Sequence, residues 1–183
     1  MAEFYAYHVV TERPMQVGQQ ILFDGEHRNG VYRRVRDKLE AVRQIVAHPE
    51  QYDPKNLEHH TSVALRELAL ERVRREKYPQ YPSRMACLYV SDSLEDARMW
   101  SRLFAEWGRP TYQIVRLKIR GRCFAGDANN CFPGQVHEAE NLRLAERYWE
   151  NRPNPAGERP IVEMLADGEI EVIEIIERID QNI

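Results

Sequence analysis

Residues 88–100, LYVSDSLEDARMW, contain the end of an apolar run that is followed directly by a helical pattern. The apolar run closes a segment, residues 84–90, that predicts a buried strand. Ser93 is a candidate helix N-cap, because Asp96 follows three residues later in a variant of the capping box. A strand that passes into a capped helix within a few residues predicts a domain that mixes strands and helices.

The rest of the chain extends this pattern in both directions. Aromatic and β-branched runs predict strands, and apolar residues at helical spacing predict helices. The strands do not alternate strictly with helices, which favours the α+β class over a doubly wound sheet. We therefore predict a single α+β domain over residues 1–183 with this order: strand 4–10, extended segment 15–23, helices 31–46 and 57–77, strand 84–90, helix 94–107, strand 111–119, irregular segment 121–134, short helix 142–149, and strands 161–165 and 169–178.

Composition and charge exclude several classes of protein. The chain has 183 residues, of which 43% are hydrophobic and 30% are charged, as in an ordinary globular protein. The formal net charge is −3, so the total charge does not favour binding to nucleic acid or to an anionic membrane. The three cysteines have no CxxC spacing, and the sequence shows neither a membrane-spanning run nor a signal peptide. We therefore expect a cytoplasmic protein.

Familiar catalytic and metal-binding motifs do not occur in the sequence. It has no GxGxxG dinucleotide fingerprint, no GxxxxGK[ST] phosphate loop, no HExxH zinc motif and no GxSxG nucleophile elbow. His59 and His60 are adjacent on a predicted helix, so their side chains do not face one metal ion. The sequence therefore predicts no metal site.

Three short segments occur in an order that has a known counterpart. The first is residues 7–11, YHVVT, followed by a Val-Gly turn at 17–18. The second is the strand and helix of residues 88–100, and the third is residues 161–165, IVEML, before the last strand. A histidine on an opening strand, a tyrosine on a strand that enters a helix and a late acidic residue resemble the ADP-ribosyltransferase superfamily, in its diphtheria-toxin-like His-Tyr-Glu branch.

Within that superfamily, the chain is most similar to the small rifamycin-modifying ADP-ribosyltransferases. The tyrosine–histidine opening, the Val-Gly turn, the YVS strand end at 89–91, the DANN loop at 127–130 and the FPG segment at 132–134 have counterparts there. The predicted helices at 31–77 have none, so we expect a separate bacterial family of the superfamily. The resemblance implies a split, mainly antiparallel sheet with these two helices as an insertion.

The resemblance also implies a function and a set of site residues. The activity would be the transfer of ADP-ribose from NAD, used as a co-substrate, to a protein, a nucleic acid or a small molecule. Catalytic roles would fall to Tyr89, which would stack on nicotinamide, and to a carboxylate that stabilises the cationic ribose, either Glu163 or Asp127. His8 would bind the adenosine-side ribose. The full NAD-binding set that the resemblance implies is His8, Val9, Tyr89, Ser91 and Trp100.

Each of these residues also has a purely structural interpretation. His8 and Tyr89 could be hydrogen-bonded core residues of apolar strands, and Trp100 fits a helix core. Glu163 could lie on the solvent face of an amphipathic strand, and Asp127 could cap a turn. Two other functions therefore stay open. One is an NAD- or ADP-ribose-binding module without turnover, and the other is a partner-binding domain that docks through its helical insertion.

Overall fold

The computed structural model describes residues 2–179, which form two compact units. The first unit contains residues 2–27, 87–125 and 162–179. The second unit contains residues 28–86 and 126–161. The second unit therefore consists of two segments, each inserted between segments of the first unit in the sequence.

Seven strands and five α-helices lie within the described residues, which confirms the predicted α+β class. The strands are β1 (Ala2–Val10), β2 (Gln20–Phe23), β3 (Leu88–Val90), β4 (Gln113–Gly121), β5 (Cys123–Asp127), β6 (Val162–Ala166) and β7 (Gly168–Arg178). The helices are α1 (Gly30–Asp37), α2 (Leu39–Ala47), α3 (His59–Lys77), α4 (Leu94–Glu106) and α5 (Glu138–Trp149). None of the described helices is both long enough and apolar enough to cross a bilayer.

The larger sheet of the first unit is antiparallel throughout, with the strand order β1-β4-β7-β2. Side chains alternate between the two faces of a strand, so each strand can pack on two sides. On β1, Ala6 and Val10 belong to the main apolar core of this unit. Val9 points the other way and packs with Ala97 of α4. The even-numbered and odd-numbered residues of β1 therefore face different surroundings.

The smaller sheet has the order β3-β6-β5, and β3 runs antiparallel to β6. The predicted strand at 84–90 is too long, because only its last three residues pair, with Tyr89 opposite Leu165. The prediction of an irregular segment at 121–134 is also wrong in part, because β5 forms there. β5 is short and contains Gly126, so its sequence carries little of the alternation that identifies a strand.

The predicted start of α4 is confirmed. The Ser93 hydroxyl oxygen accepts a hydrogen bond from the Asp96 N–H at 3.0 Å, and the same hydroxyl donates to the Asp96 carboxylate at 2.8 Å. The helix ends just before Gly108, whose φ of 70° is one that residues other than glycine rarely adopt. α4 is thereby held in place at both ends, next to β1 and close to the start of β6.

In the second unit, the structure has three helices, α1, α2 and α3, where the sequence predicted two. Residues 31–46 read as one continuous apolar stripe, but the backbone leaves helical geometry at Lys38, where φ is −109°. α1 therefore ends there and α2 begins at the next residue. The break keeps Val35 and Val42 in the same apolar core, which is why the stripe continues across it.

The second unit buries a charged cluster between its helices. Glu67 of α3 has 1% of its side chain exposed and accepts hydrogen bonds from Arg84 Nε at 2.9 Å and Arg66 Nη2 at 2.8 Å. Arg84 Nη1 in turn donates to the Tyr148 hydroxyl at 2.6 Å. Burial alone would raise the pKa of Glu67, but the charges of Arg84 and Arg66 outweigh burial and lower it. Glu67 is therefore a buried carboxylate between two guanidinium groups.

Candidate functional site

β1 and β3 are joined by a single two-residue bridge in the described part of the chain. The Tyr7 N–H donates to the Ser91 carbonyl and the Ser91 N–H donates to the Tyr7 carbonyl, both at 2.8 Å. Beyond the bridge, no further backbone pair between the two strands is found among residues 2–179. We call the unpaired stretch of the two strands beyond the bridge the split. His8 and Val9 line it on β1, and Tyr89 lines it on β3.

His8 spans the split through its ring. Its Nδ1 lies 2.8 Å from the Tyr89 carbonyl oxygen, and because a carbonyl only accepts, Nδ1 carries the proton. Desolvation of the ring lowers the pKa of His8 to about 4, and the nearby charge of Arg109 acts in the same direction. His8 is therefore neutral near pH 7, and its Nε2 is an acceptor. Among the described residues, no group donates to that nitrogen.

The low pKa of His8 makes a prediction about stability and pH. A neutral His8 in the folded state, with a pKa of about 4 against 6.5 when unfolded, takes up a proton on unfolding between these two values. Its contribution to stability is therefore complete above pH 6.5 and is lost as the pH falls towards 4. Between pH 7 and pH 5 we expect the chain to lose about 1–2 kcal/mol of unfolding free energy from this residue.

Urea unfolding at a series of pH values measures this loss. His8→Gln is the matched variant, because its amide can still donate to the Tyr89 carbonyl but does not titrate. The difference in stability between the two proteins should change across the acidic range. A difference that stays constant from pH 7 to pH 5 would contradict the prediction.

Strand geometry directs the backbone N–H and C=O of Val9 towards the split. Tyr7 directs its N–H and C=O to β3, so regular antiparallel pairing directs those of His8 to β4 and those of Val9 to the β3 side again. The carbonyl that the Val9 N–H would meet there is that of Tyr89, which the His8 ring already holds. Within residues 2–179, no partner on β3 replaces it.

The register of β3 with β6, extended by one residue, predicts that Glu163 lies close to Ser91 and Tyr7. β3 and β6 pair with Val90 opposite Met164, and the same register carried one residue further sets Ser91 beside Glu163. Ser91 is itself paired with Tyr7. Directly opposed residues of antiparallel strands point to the same side. The observed ladder ends at Val90 and Met164, and its extension by one residue predicts a row of Tyr7, Ser91 and Glu163 across β1, β3 and β6.

Sequence reasoning selected Ser91 and Glu163 but missed Tyr7 as a member of this row. Only the pairing of strands that are distant in sequence shows it. Tyr89 lies two residues before Ser91 and shares its face, so its ring is on the Glu163 side. The His8 side chain alternates to the opposite face and reaches β3 only through the Tyr89 carbonyl. The side chains of His8 and Tyr89 therefore point to opposite faces of their strands.

Trp100 of α4 is bound to the strand that carries Glu163. Its indole N–H donates to the Val162 carbonyl at 2.8 Å. Its ring packs against Phe104 and Trp107, with centroid distances of 5.6 and 6.4 Å. The one polar group of the Trp100 side chain is therefore used within the protein, next to the predicted catalytic carboxylate.

Asp127 lies in the second unit, where it organises a loop. Its carboxylate accepts hydrogen bonds from the backbone N–H groups of Asn129 at 3.0 Å and Ile161 at 3.1 Å, and from Asn154 Nδ2 at 2.8 Å. Burial would raise the pKa of Asp127, but these hydrogen bonds outweigh it and lower the pKa. A carboxylate that already accepts three hydrogen bonds is typical of a loop anchor, as in the alternative interpretation of this residue.

We predict that Asp127→Asn destabilises the chain by about 1–3 kcal/mol, the cost of leaving a buried polar group without its partner. Asparagine retains one oxygen, but its amide would meet the Asn154 amide, which is also a donor. Urea unfolding measures the loss. Asp53→Asn is the control, because Asp53 caps an exposed turn through Lys55 N–H. Equal stability of the wild type and Asp127→Asn would contradict the anchoring role.

Comparisons with known proteins complete the description of the site. A family model described as "Protein of unknown function (DUF2441)" matches residues 6–178, which include every predicted site residue. No curated protein matches the chain. Among residues 2–179, no group of three or more His, Cys, Asp or Glu side chains is placed to hold a metal ion.

Proposed function

The chain belongs to the DUF2441 family, and we propose that it is an NAD-dependent mono-ADP-ribosyltransferase whose site lies at the split. One observation supports the proposal most directly. Residues selected from separate segments of the sequence lie together on three connected strands of one unit. They are His8, Val9, Tyr89, Ser91 and Glu163.

The groups at the split match the hydrogen-bonding needs of NAD. The carboxamide of nicotinamide requires one acceptor for its NH₂ group and one donor for its oxygen. The Val9 carbonyl and N–H offer this pair on one edge of β1. His8 Nε2 is an acceptor when the ring is neutral, so it can bind a ribose hydroxyl, and the Tyr89 ring offers a stacking surface.

The chemistry that NAD supplies is heterolysis of the bond between ribose C1′ and nicotinamide. Positive charge develops on the ribose, and the Glu163 carboxylate stabilises it electrostatically. Ser91, beside Glu163 in the row, can donate a hydrogen bond that orients the carboxylate. The nucleophilic atom of the acceptor bonds to C1′ and releases its proton, so the products are nicotinamide, the ADP-ribosylated acceptor and one proton.

Two measurements on the wild-type chain test this function. Isothermal titration calorimetry with NAD should show binding, and chromatography should show nicotinamide release with water as the acceptor. Binding without release would favour the alternative of a binding module without turnover. If the chain neither binds NAD nor releases nicotinamide, the proposal is overturned and the alternative of a partner-binding domain is left.

The proposal allows three classes of acceptor. A protein, a nucleic acid and a small molecule all stay candidates for the acceptor, and the net charge of −3 does not favour nucleic acid. A cytoplasmic location stays a prediction from the sequence. Incubation of the purified chain with labelled NAD and each class of acceptor distinguishes the three.

A further inference from the structure

We propose that Trp100 is a positioning residue for Glu163 and does not contact NAD, an inference that rests on the proposed function. The resemblance assigns Trp100 to NAD binding. The structure instead shows its indole N–H engaged by the Val162 carbonyl, one residue before Glu163. Because the only polar group of Trp100 is hydrogen-bonded within the protein, we expect Trp100 to act on a ligand indirectly, through the strand that it positions.

The start of β6 is held at two successive residues, because the Ile161 carbonyl accepts from the Ala128 N–H at 2.8 Å and the Val162 carbonyl accepts from Trp100. Val162 is the first residue of the strand and has 41% of its surface exposed, so its backbone lies at an end of the sheet. The ladder between β3 and β6 begins only at Met164, one residue after Glu163. The Trp100 hydrogen bond therefore fixes the backbone on the side of Glu163 that the β3 ladder does not hold.

The indole itself is held in a fixed position by its surroundings. α4 begins at the Ser93 cap, and Trp100 packs on the face of α4 that lies against Val9. Phe104 and Trp107 border its ring. A donor on a capped, packed helix can hold a strand end in one place, and preorganised placement of a charged group is what electrostatic stabilisation of a transition state requires.

The test compares Trp100→Phe with Trp107→Phe. The two changes are chemically identical, but only the first removes a hydrogen bond, since the Trp107 indole N–H has no hydrogen-bond partner among the described residues and Trp107 is 65% exposed. We expect Trp100→Phe to lower kcat for nicotinamide release by roughly 3- to 10-fold, the effect of losing one neutral hydrogen bond. The KM for NAD should stay within about twofold, because no contact with NAD is lost. Trp107→Phe keeps an aromatic ring beside Trp100 and the hydrogen bond to Val162, so it should change neither.

Amide hydrogen exchange provides a readout that does not depend on activity. The amides of residues 162–164 should exchange faster in Trp100→Phe and not in Trp107→Phe. If Trp100→Phe does not fold, Trp100→Tyr serves in its place, since it also lacks the indole N–H.

The outcomes distinguish a failure of the Trp100 inference from a failure of the proposed function. A raised KM with unchanged kcat would show that Trp100 touches NAD, and equal exchange in the two variants would show that it does not hold β6. Either result overturns the inference. A wild-type chain without turnover overturns the proposed function, and with it the catalytic purpose of this contact, while the exchange measurement still decides whether Trp100 fixes the strand.

Discussion

Replacement of Glu163 by glutamine is expected to lower the turnover of NAD by roughly 10²–10³-fold and to leave the affinity for NAD nearly unchanged. Glutamine keeps the shape of the side chain and an oxygen that can accept a hydrogen bond, but it carries no charge. The charge matters most when the ribose becomes cationic. An interaction that is stronger in the transition state than in the ground state appears in kcat and not in binding.

Glu169→Gln is the matched control for this prediction. Glu169 is exposed and lies at the start of β7, the strand that follows β6 in the sequence. Its charge should therefore not affect the site. Turnover is measured by nicotinamide release, affinity by calorimetry, and folding by circular dichroism. Full activity in Glu163→Gln together with a folded but inactive Asp127→Asn would transfer the role to Asp127. Full activity in both variants would remove the mechanism.

The largest expected effect on stability is at Glu67 in the second unit. Glu67→Gln should lower the unfolding free energy by about 3–5 kcal/mol, as when one partner of a buried ion pair is removed. The reason is the charge left behind, since Arg84 has only 6% of its side chain exposed and would keep its charge without the carboxylate. A folded domain has only about 5–15 kcal/mol of stability in total, so this loss is a large fraction of it.

Glu76→Gln on the same helix tests whether burial is the cause. Glu76 also pairs with an arginine, Arg72, at 3.1 Å, but both side chains are more than half exposed. Water screens that pair, so its loss should barely move the urea midpoint. Similar shifts in the two variants would contradict the explanation, because they would mean that the charge change and not the burial decides the cost.

Features set by neighbouring residues could be predicted from the sequence. The Ser93 cap of α4 depends on a residue three positions away, β1 follows from an aromatic and β-branched run, and β4 follows from the alternation of apolar and polar residues. Predictions failed where the local signal was weak or ambiguous. The apolar stripe over 31–46 hides the break at Lys38, because both helices direct apolar residues into one core.

The candidate site shows the same limit. His8, Tyr89, Ser91 and Glu163 were selected by residue type and order, which a resemblance can supply. Their arrangement in space could not be predicted, because it depends on the register of β1 with β3 and of β3 with β6. The choice between Glu163 and Asp127 also needed three-dimensional contacts, since only these show that Asp127 accepts three hydrogen bonds within its own loop.

The position of β7 has a consequence for how the chain is made. β7 lies between β4 and β2 in the larger sheet, yet it is synthesised after both. While the ribosome produces the intervening residues, β2 has no strand to pair with, because its partner in the described sheet does not yet exist. Unpaired strand edges and exposed apolar side chains on a nascent chain promote aggregation. Chaperone binding during synthesis should therefore persist until residues 168–178 have emerged, and the sheet should close late and in one step.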